Sequence, residues 1–408
     1  MEAAGVLGKK KYLLFALLFM GWIIDSLGLF GMNIVIIPIS KELNLDESQT
    51  GMILSSFFLS SALMTLIAGW VSDRFGSRKI VIASIFIFSL FSLFTGMIWS
   101  FASLILARLL VGLADGCLPT ASAVALTEIF PKQERARAKS FLLSAQMIGA
   151  TLASIIAAAV AVYMGWRGIF YITGGVGIVV ALLLGIYYRP PSNTGRADAN
   201  EQQVGKKLAL GSLFSNRLLW TLVLIYFGAS LVNWGSSSWI PSYLEKARHL
   251  DLMSLGTLSM IPNTCGLLAS LFTGWMLDKR WSGREKQVII SGAVIAGIFL
   301  YLMFNAPSIM TMVTYQALFS IGIMSAIMAI LTLPLKVVPP DIVGSFMGIL
   351  YFLGAIAGTL APTVMGFLIT MFGGSYAAAF WFLIAMLSLP IVGAITLKTT
   401  NISQTAAQ

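Results

Sequence analysis

Three ionisable residues lie where the surrounding sequence is almost wholly apolar: Asp25, Arg108 and Asp115. The two acids each fall close to the middle of an apolar run, and Arg108 sits nearer one end of the run it shares with Asp115. A charge at bilayer depth costs at least about 2.5–3.5 kcal/mol on the insertion scale, so such residues face a wet cavity or a partner. Arg108 and Asp115 are seven residues apart, almost two helical turns, which places them on one helix face and about 10 Å apart along the axis. They are not expected to touch within that helix, but both can face one cavity. Two acids against one arginine leave a negative charge uncompensated if both ionise. Burial disfavours the charged form of a carboxyl group, so at least one acid is a natural proton site. Each residue also has a structural reading. Asp25 could be a buried hydrogen-bonded acid without a titrating role, and Arg108 with Asp115 a packing pair that braces its helix.

The second half of the chain has no ionisable residue well inside an apolar run. Its polar candidates are Asn233, Trp234 and Ser236–Ser238, then Asn263 and Gln316. Serines and asparagines often join membrane helices to one another, so a structural role stays open for these. Trp234 and Trp239 could shape a cavity or anchor at the interface. Glu128, at the end of its run, reads as solvated or loop-bonding, and the single histidine, His249, as a surface residue. The two cysteines, Cys117 and Cys265, both fall inside apolar segments, so no disulfide framework is expected. There is no phosphate-binding loop, metal-ligand spacing, nucleophile constellation or appended domain. No cofactor and no metal are expected, and an enzyme or a non-transporting sensor is disfavoured.

The elements that must position these residues are long apolar helices. Of 408 residues, 58% are hydrophobic and 10% charged, against roughly 25% charged in soluble domains. A spanning helix needs about 20 mostly apolar residues, and twelve such runs can be marked. They are 12–39, 50–71, 80–99, 102–128, 138–164 and 169–188, then 218–243, 253–277, 287–305, 309–335, 342–370 and 376–397. The first is too long for a signal segment and contains Asp25, so it is expected to be a retained helix. The net charge of +10 lies in short loops between the runs, which points to topology rather than nucleic acid. With the N-terminus inside, twenty-one Lys and Arg fall in inner segments and four (Lys41, Arg167, Lys246 and Arg248) in outer loops. The positive-inside rule then places both termini in the cytoplasm. A bacterial-type inner (plasma) membrane is expected.

The longest polar stretch, 189–217, divides the chain into an N-terminal six-helix bundle, 1–188, and a C-terminal one, 218–408. A repeat supports the division. Gly69, Trp70, Asp73 and Arg74 recur as Gly274, Trp275, Asp278 and Lys279 at a constant offset of 205, each copy closing the second helix of its block. Parallel repeats of this kind belong to transporters with two six-helix halves and a solute site near the midplane.

The segment Gly69-Trp-Val-Ser-Asp73-Arg74-Phe-Gly76-Ser-Arg78-Lys79 resembles the signature loop of the major facilitator superfamily. That pattern wants a small residue for close helix packing, an Asp at a helix end and a basic cluster. The resemblance covers essentially the whole chain and implies an all-α integral membrane protein, twelve transmembrane helices in two six-helix bundles. Within the superfamily, several stretches resemble the anion:cation symporters, which include sialin-like and sugar-acid transporters. They are Ala107-Arg108 through Gly112, Asp115-Gly116 and Pro119; Phe130-Pro131 through Glu134-Arg135-Ala136; and Trp239-Ile240-Pro241-Ser242-Tyr243-Leu244. Gln146 stands at a position similar to one that lines the cavity in that family. There are departures: Asp25 is followed by Ser26 rather than Arg, Ser61 stands where a cavity Tyr is usual, and Gly354-Ala355 replaces Gly-Asn.

The resemblance implies a secondary active transporter working by alternating access, and most directly a proton-coupled symporter of a small organic anion such as a carboxylate or sugar acid. Asp25 and Asp115 would handle protons. Arg108, Gln146, Asn233, Trp234, Ser237 and Gln316 would contact the solute. Gly69, Asp73, Arg74, Gly76, Arg78, Asp278 and Lys279 would form a cytoplasmic gate. The alternative is a proton-coupled antiporter exporting a drug or metabolite; the segment Gly149-Ala-Thr-Leu-Ala-Ser154 lacks the Gly-Pro pattern of many antiporters. The expected partners are the solute, protons and lipid, with no nucleic acid, and the protein is expected to function as a monomer.

Overall fold

The computed structural model describes residues 2–188, 217–338 and 340–397. The expected central loop, 189–217, lies outside the described residues except for Arg217, which opens a helix. In chain order the helices are α1 (Glu2–Glu42), α2 (Glu47–Phe75), α3 (Ser77–Thr95), α4 (Phe101–Ile129), α5 (Lys132–Met164) and α6 (Arg167–Tyr187). They continue as α7 (Arg217–Arg248), α8 (Leu252–Lys279), α9 (Glu285–Phe304), α10 (Ile309–Val337), α11 (Pro340–Met371), α12 (Ala377–Met386) and α13 (Ser388–Thr396). The last two together make one span, so among the described residues twelve segments are long and apolar enough to cross a membrane. Helices answer the bilayer's demand that every backbone polar group be paired within its own segment.

Short polar sequences stop and restart the helices. Asp46 accepts from Gln49 N at 2.7 Å while its own N–H donates to Gln49 Oε1 at 3.1 Å, closing a capping box ahead of α2. Ser100 with Ser103 does the same for α4, and Ser308 with Thr311 for α10. At the α7–α8 turn Asp251 accepts from Ser254 N at 3.0 Å and Ser254 Oγ at 2.6 Å, and these bonds hold its carboxyl below the usual aspartate range.

The chain forms two compact units. The first comprises Met1–Thr194 with Pro241–Met260, the second Gly195–Ile240 with Ile261–Gln408. The grouping departs from the expected division of 1–188 and 218–408 at one place, where the end of α7 and the start of α8 join the first unit. Charge and small side chains account for this. Lys41 of α1 pairs with Glu245, and Lys246 donates to Glu47 of α2 at 2.6 Å. At Gly256 a Cβ would lie 2.4 Å from Ala158 of α5, a contact only glycine permits.

Within the first unit α2 packs along α4 through Gly112 and Gly116, a small-xxx-small pair that lets helix backbones approach. A Cβ at Gly112 would lie 2.3 Å from Phe57 O, and one at Gly116 would lie 2.6 Å from Ser61 O. In the second unit α9 and α10 meet the same way, with Gly292 and Gly322 against each other's carbonyls.

The repeat is also chemical. At the start of α3, Ser77 donates to Glu128 of α4 at 2.8 Å, and Arg78 donates to Gly185 O of α6 at 2.7 Å. At the start of α9, Glu285 accepts from Lys336 of α10 at 2.8 Å, and Lys286 donates to Ile395 O and Leu397 O at 2.9 and 3.1 Å. Positions 77, 78 and 128 map onto 285, 286 and 336 by one shift of 208. The junction is kept while its polarity is rewritten: a serine–glutamate bond in one half is a glutamate–lysine pair in the other. Glu128 also accepts from Tyr188 at 2.7 Å.

Candidate functional site

Two glycine contacts place the acids. On α1, Asp25 precedes Ser26, whose Cβ would lie 2.6 Å from a Cβ at Gly149 of α5. That close approach seats α1 deep in the bundle and leaves Asp25 buried. On α4, Asp115 precedes Gly116, so the contact that draws α2 in also brings Ser61 to the acid. Ser61 Oγ donates to Asp115 Oδ2 at 2.7 Å.

The carboxyl groups of Asp25 and Asp115 lie within hydrogen-bonding reach of one another, and the charge of Arg108 acts on both. Arg108 is buried at 3% exposure, with its guanidinium 5.0 Å from the centre of the Phe57 ring. Its Nε–H has no hydrogen-bond partner. The three residues expected from sequence to do chemistry are therefore gathered in one unit, on α1 and α4. Arg108 lies among α1, α2, α3, α4 and α6, beside a small internal cavity that it shares with Asp25.

The other expected residues are spread more widely. Gln146 on α5 is half-buried, as are Asn233, Trp234 and Ser237 on α7. Gln316 on α10 is buried at 8%, and its Oε1 has no hydrogen-bond partner. Trp239, read from sequence as a cavity or interface residue, is a buried brace: its Nε1–H donates to Pro362 O at 3.0 Å and its ring meets Tyr376 edge-on.

In the signature loop, Gly76 takes φ +85°, a conformation favouring glycine, at the break between α2 and α3. Arg74 lies over Trp70, Lys279 over Trp275, and Arg78 is tied to Gly185 O; Asp278 is exposed. The side chain of Asp73 lies outside the described residues. A Cβ at Gly69 would meet nothing within 4 Å. The close packing expected there is made on α2 by Gly112 and Gly116 instead, because those glycines face the α2 backbone.

Sequence reasoning missed Ser61, noted only as a departure, and the hydroxyls of Ser92, Thr95 and Thr173 beside the cavity. Serines and threonines recur throughout these helices, so no spacing singled them out.

The family model for the Major Facilitator Superfamily matches residues 13–362. The chain belongs to the Major Facilitator Superfamily. It is thus a multi-pass membrane protein of a transporter family, not an enzyme. Two relatives within this superfamily are the "Probable L-galactonate transporter" of Escherichia coli (strain K12) and the "Probable sulfoacetate transporter SauU" of Cupriavidus necator. The first is 28% identical over 86% of this chain and 82% of its own length. The second is 27% identical over 91% and 90%. A solved superfamily structure, a bacterial homolog to the human lysosomal transporter Spinster, aligns with a TM-score of 0.78 at 18% identity, over 98% of this chain and 94% of that one. That likeness concerns the fold of two six-helix bundles.

Proposed function

We propose that this transporter carries a small organic anion, a carboxylate or sugar acid, together with protons by alternating access. It would work as a monomer in a bacterial-type inner membrane with both termini cytoplasmic. The observation that carries the reading is the Asp25–Asp115–Arg108 cluster. Two facing carboxyls beside one guanidinium are one negative charge in excess when both ionise. In a low-dielectric interior the simplest way to neutrality is a proton, so the cluster takes one up and releases one as its surroundings change. Asp115 already accepts a hydrogen bond from Ser61, and Asp25 is the proposed main proton carrier.

The anion is supported by the names of both relatives, each named as a probable transporter of an organic acid. Gln146, Asn233, Trp234, Ser237 and Gln316 are the proposed solute contacts, Gln316 offering a buried acceptor not used within the protein. Arg108 acts on the solute through charge: with one acid protonated it balances the remaining carboxylate, so the cluster no longer carries the excess negative charge that repels an anion. Gly69, Asp73, Arg74, Gly76, Arg78, Asp278 and Lys279 are the proposed cytoplasmic gate.

The test is a thermal-shift panel of organic acids, sugar acids and cationic drugs, since a ligand of the folded form raises apparent stability. Uptake of the hits into proteoliposomes follows, under an imposed pH gradient. Organic acids should stabilise the protein and accumulate on the side toward which protons run. Stabilisation by cationic drugs alone, with efflux against protons, would overturn symport in favour of the antiporter.

A further inference from the structure

The internal cavity of the first unit offers about 10 Å³, and one water needs roughly 10–15 Å³ on this measure with two to four polar partners. Its polar walls are Asp25, Ser92, Thr95, Arg108 and Thr173, none more than 6% exposed. The Arg108 Nε–H is buried without a partner, and a donor left so costs about 1–3 kcal/mol, more when charged. Thr95 and Thr173 donate to the carbonyls of Phe91 and Ile169 at 2.8 Å each, which leaves their oxygens free to accept. Ser92 Oγ and Thr173 Oγ1 are 3.0 Å apart.

We propose that this cavity holds one water that accepts from Arg108 Nε–H, and that this water with the hydroxyls of Ser92, Thr173 and Thr95 forms a proton route to Asp25 through the interior of the first bundle. Thr95 is the last residue of α3, directly before the turn at Gly96, so the row begins where that helix stops. A proton arriving at Thr95 passes from hydroxyl to hydroxyl and then to the water, which gives its own proton to the Asp25 carboxylate. Each oxygen along the row ends with as many protons as it began with. The charged groups that face Asp25 are Asp115 and Arg108. The route does not use the solute contacts, so protons would reach the cluster whether or not solute is bound. The route rests on the reading of Asp25 as a proton site; the water does not.

Two measurements on the full-length protein separate these claims. Phe57, Phe88 and Phe170 wall the cavity at 2–3% exposure, and Phe346 and Phe380 are buried elsewhere at 0–1%. In X-ray hydroxyl-radical footprinting a cavity water should oxidise the first three several-fold faster than the other two. Equal rates would show a dry cavity and overturn the site. For the route, the infrared band of the protonated Asp25 carboxyl, assigned by its loss in Asp25→Asn, is followed after transfer to heavy water at low pH. Thr173→Val, which keeps the volume and removes the hydroxyl, should slow its deuteration several-fold, and Thr95→Val should do the same. Unchanged deuteration in both variants would overturn the route. Absence of an Asp25 band would remove the proton reading itself and the route with it, while footprinting still decides the water.

Discussion

Ser61 Oγ donates to Asp115 Oδ2 at 2.7 Å across the α2–α4 contact. Hydrogen bonds to charged groups contribute about 1.5–3 kcal/mol, and about 1.4 kcal/mol is a factor of ten in rate. Ser61→Ala should therefore slow proton-driven uptake roughly tenfold or more, whereas Ser61→Thr, which keeps the hydroxyl, should stay near the parent. Initial rates in proteoliposomes check this. Equal rates for Ser61→Ala and the parent would leave the bond with no part in the cycle.

Asp25→Asn puts a neutral amide where the proposed proton carrier sits. Accumulation driven by a pH gradient should disappear, while exchange of labelled for unlabelled solute on the two sides of the membrane persists in part. An amide can occupy the site but cannot cycle a proton. A variant that still concentrates solute when a gradient is imposed would move the coupling to Asp115.

Arg108→Gln removes the buried positive charge beside both acids. Solute affinity should fall and its dependence on pH between about 5 and 8 should flatten, because without Arg108 the cluster stays negative after one acid takes up a proton. Binding is measured by thermal shift or calorimetry across that range. A purely structural Arg108 would instead reduce the yield of folded protein and leave the pH profile of the remainder unchanged.

Gly116→Ala adds a methyl that would lie 2.6 Å from Ser61 O and 2.8 Å from Met64 Cβ. Backbone cannot give way as a side-chain tip can, so α2 must move off α4, at a cost of about 1–3 kcal/mol. The thermal midpoint should drop, and transport should fall further because Ser61 moves with α2. Gly69→Ala is the control, since its Cβ meets nothing within 4 Å. Equal midpoints for the two variants would mean the helices are not held as close as described.

The pair at the start of α9 tests the repeat. Lys336→Met leaves Glu285 buried without its cation. Removing one partner of a buried pair costs about 3–5 kcal/mol, and the partial exposure of Lys336 puts the expected loss at the lower end. Glu285→Ser combined with Lys336→Glu would write the Ser77–Glu128 chemistry into the second half and should recover much of the midpoint. A double variant no more stable than Lys336→Met would show that the two junctions are not interchangeable.

Much of this architecture is legible without coordinates, because a bilayer imposes simple rules on a chain. Apolar length marks the twelve spans, and the echo of Gly69 to Arg74 at Gly274 to Lys279 reveals the halves. The expense of charge in lipid draws attention to Asp25, Arg108 and Asp115 inside the apolar runs of the first half. Those are one-dimensional signals. What only the tertiary structure decided is which faces meet. A helix that is apolar all round does not announce its buried side, so Gly112, Gly116 and Gly149 could not be told from other glycines before their partners were seen. The same holds for Ser61 against Asp115 and for the hydroxyls of Ser92, Thr95 and Thr173 around the cavity. Serine and threonine are ordinary in membrane helices, and only packing shows which of them line the cavity beside Asp25 and Arg108. The end of α7 and the start of α8 show the same limit. Sequence order assigns them to the second half, while Lys41, Glu47 and Gly256 bind them to the first, because ion pairs and close contacts follow distance in space.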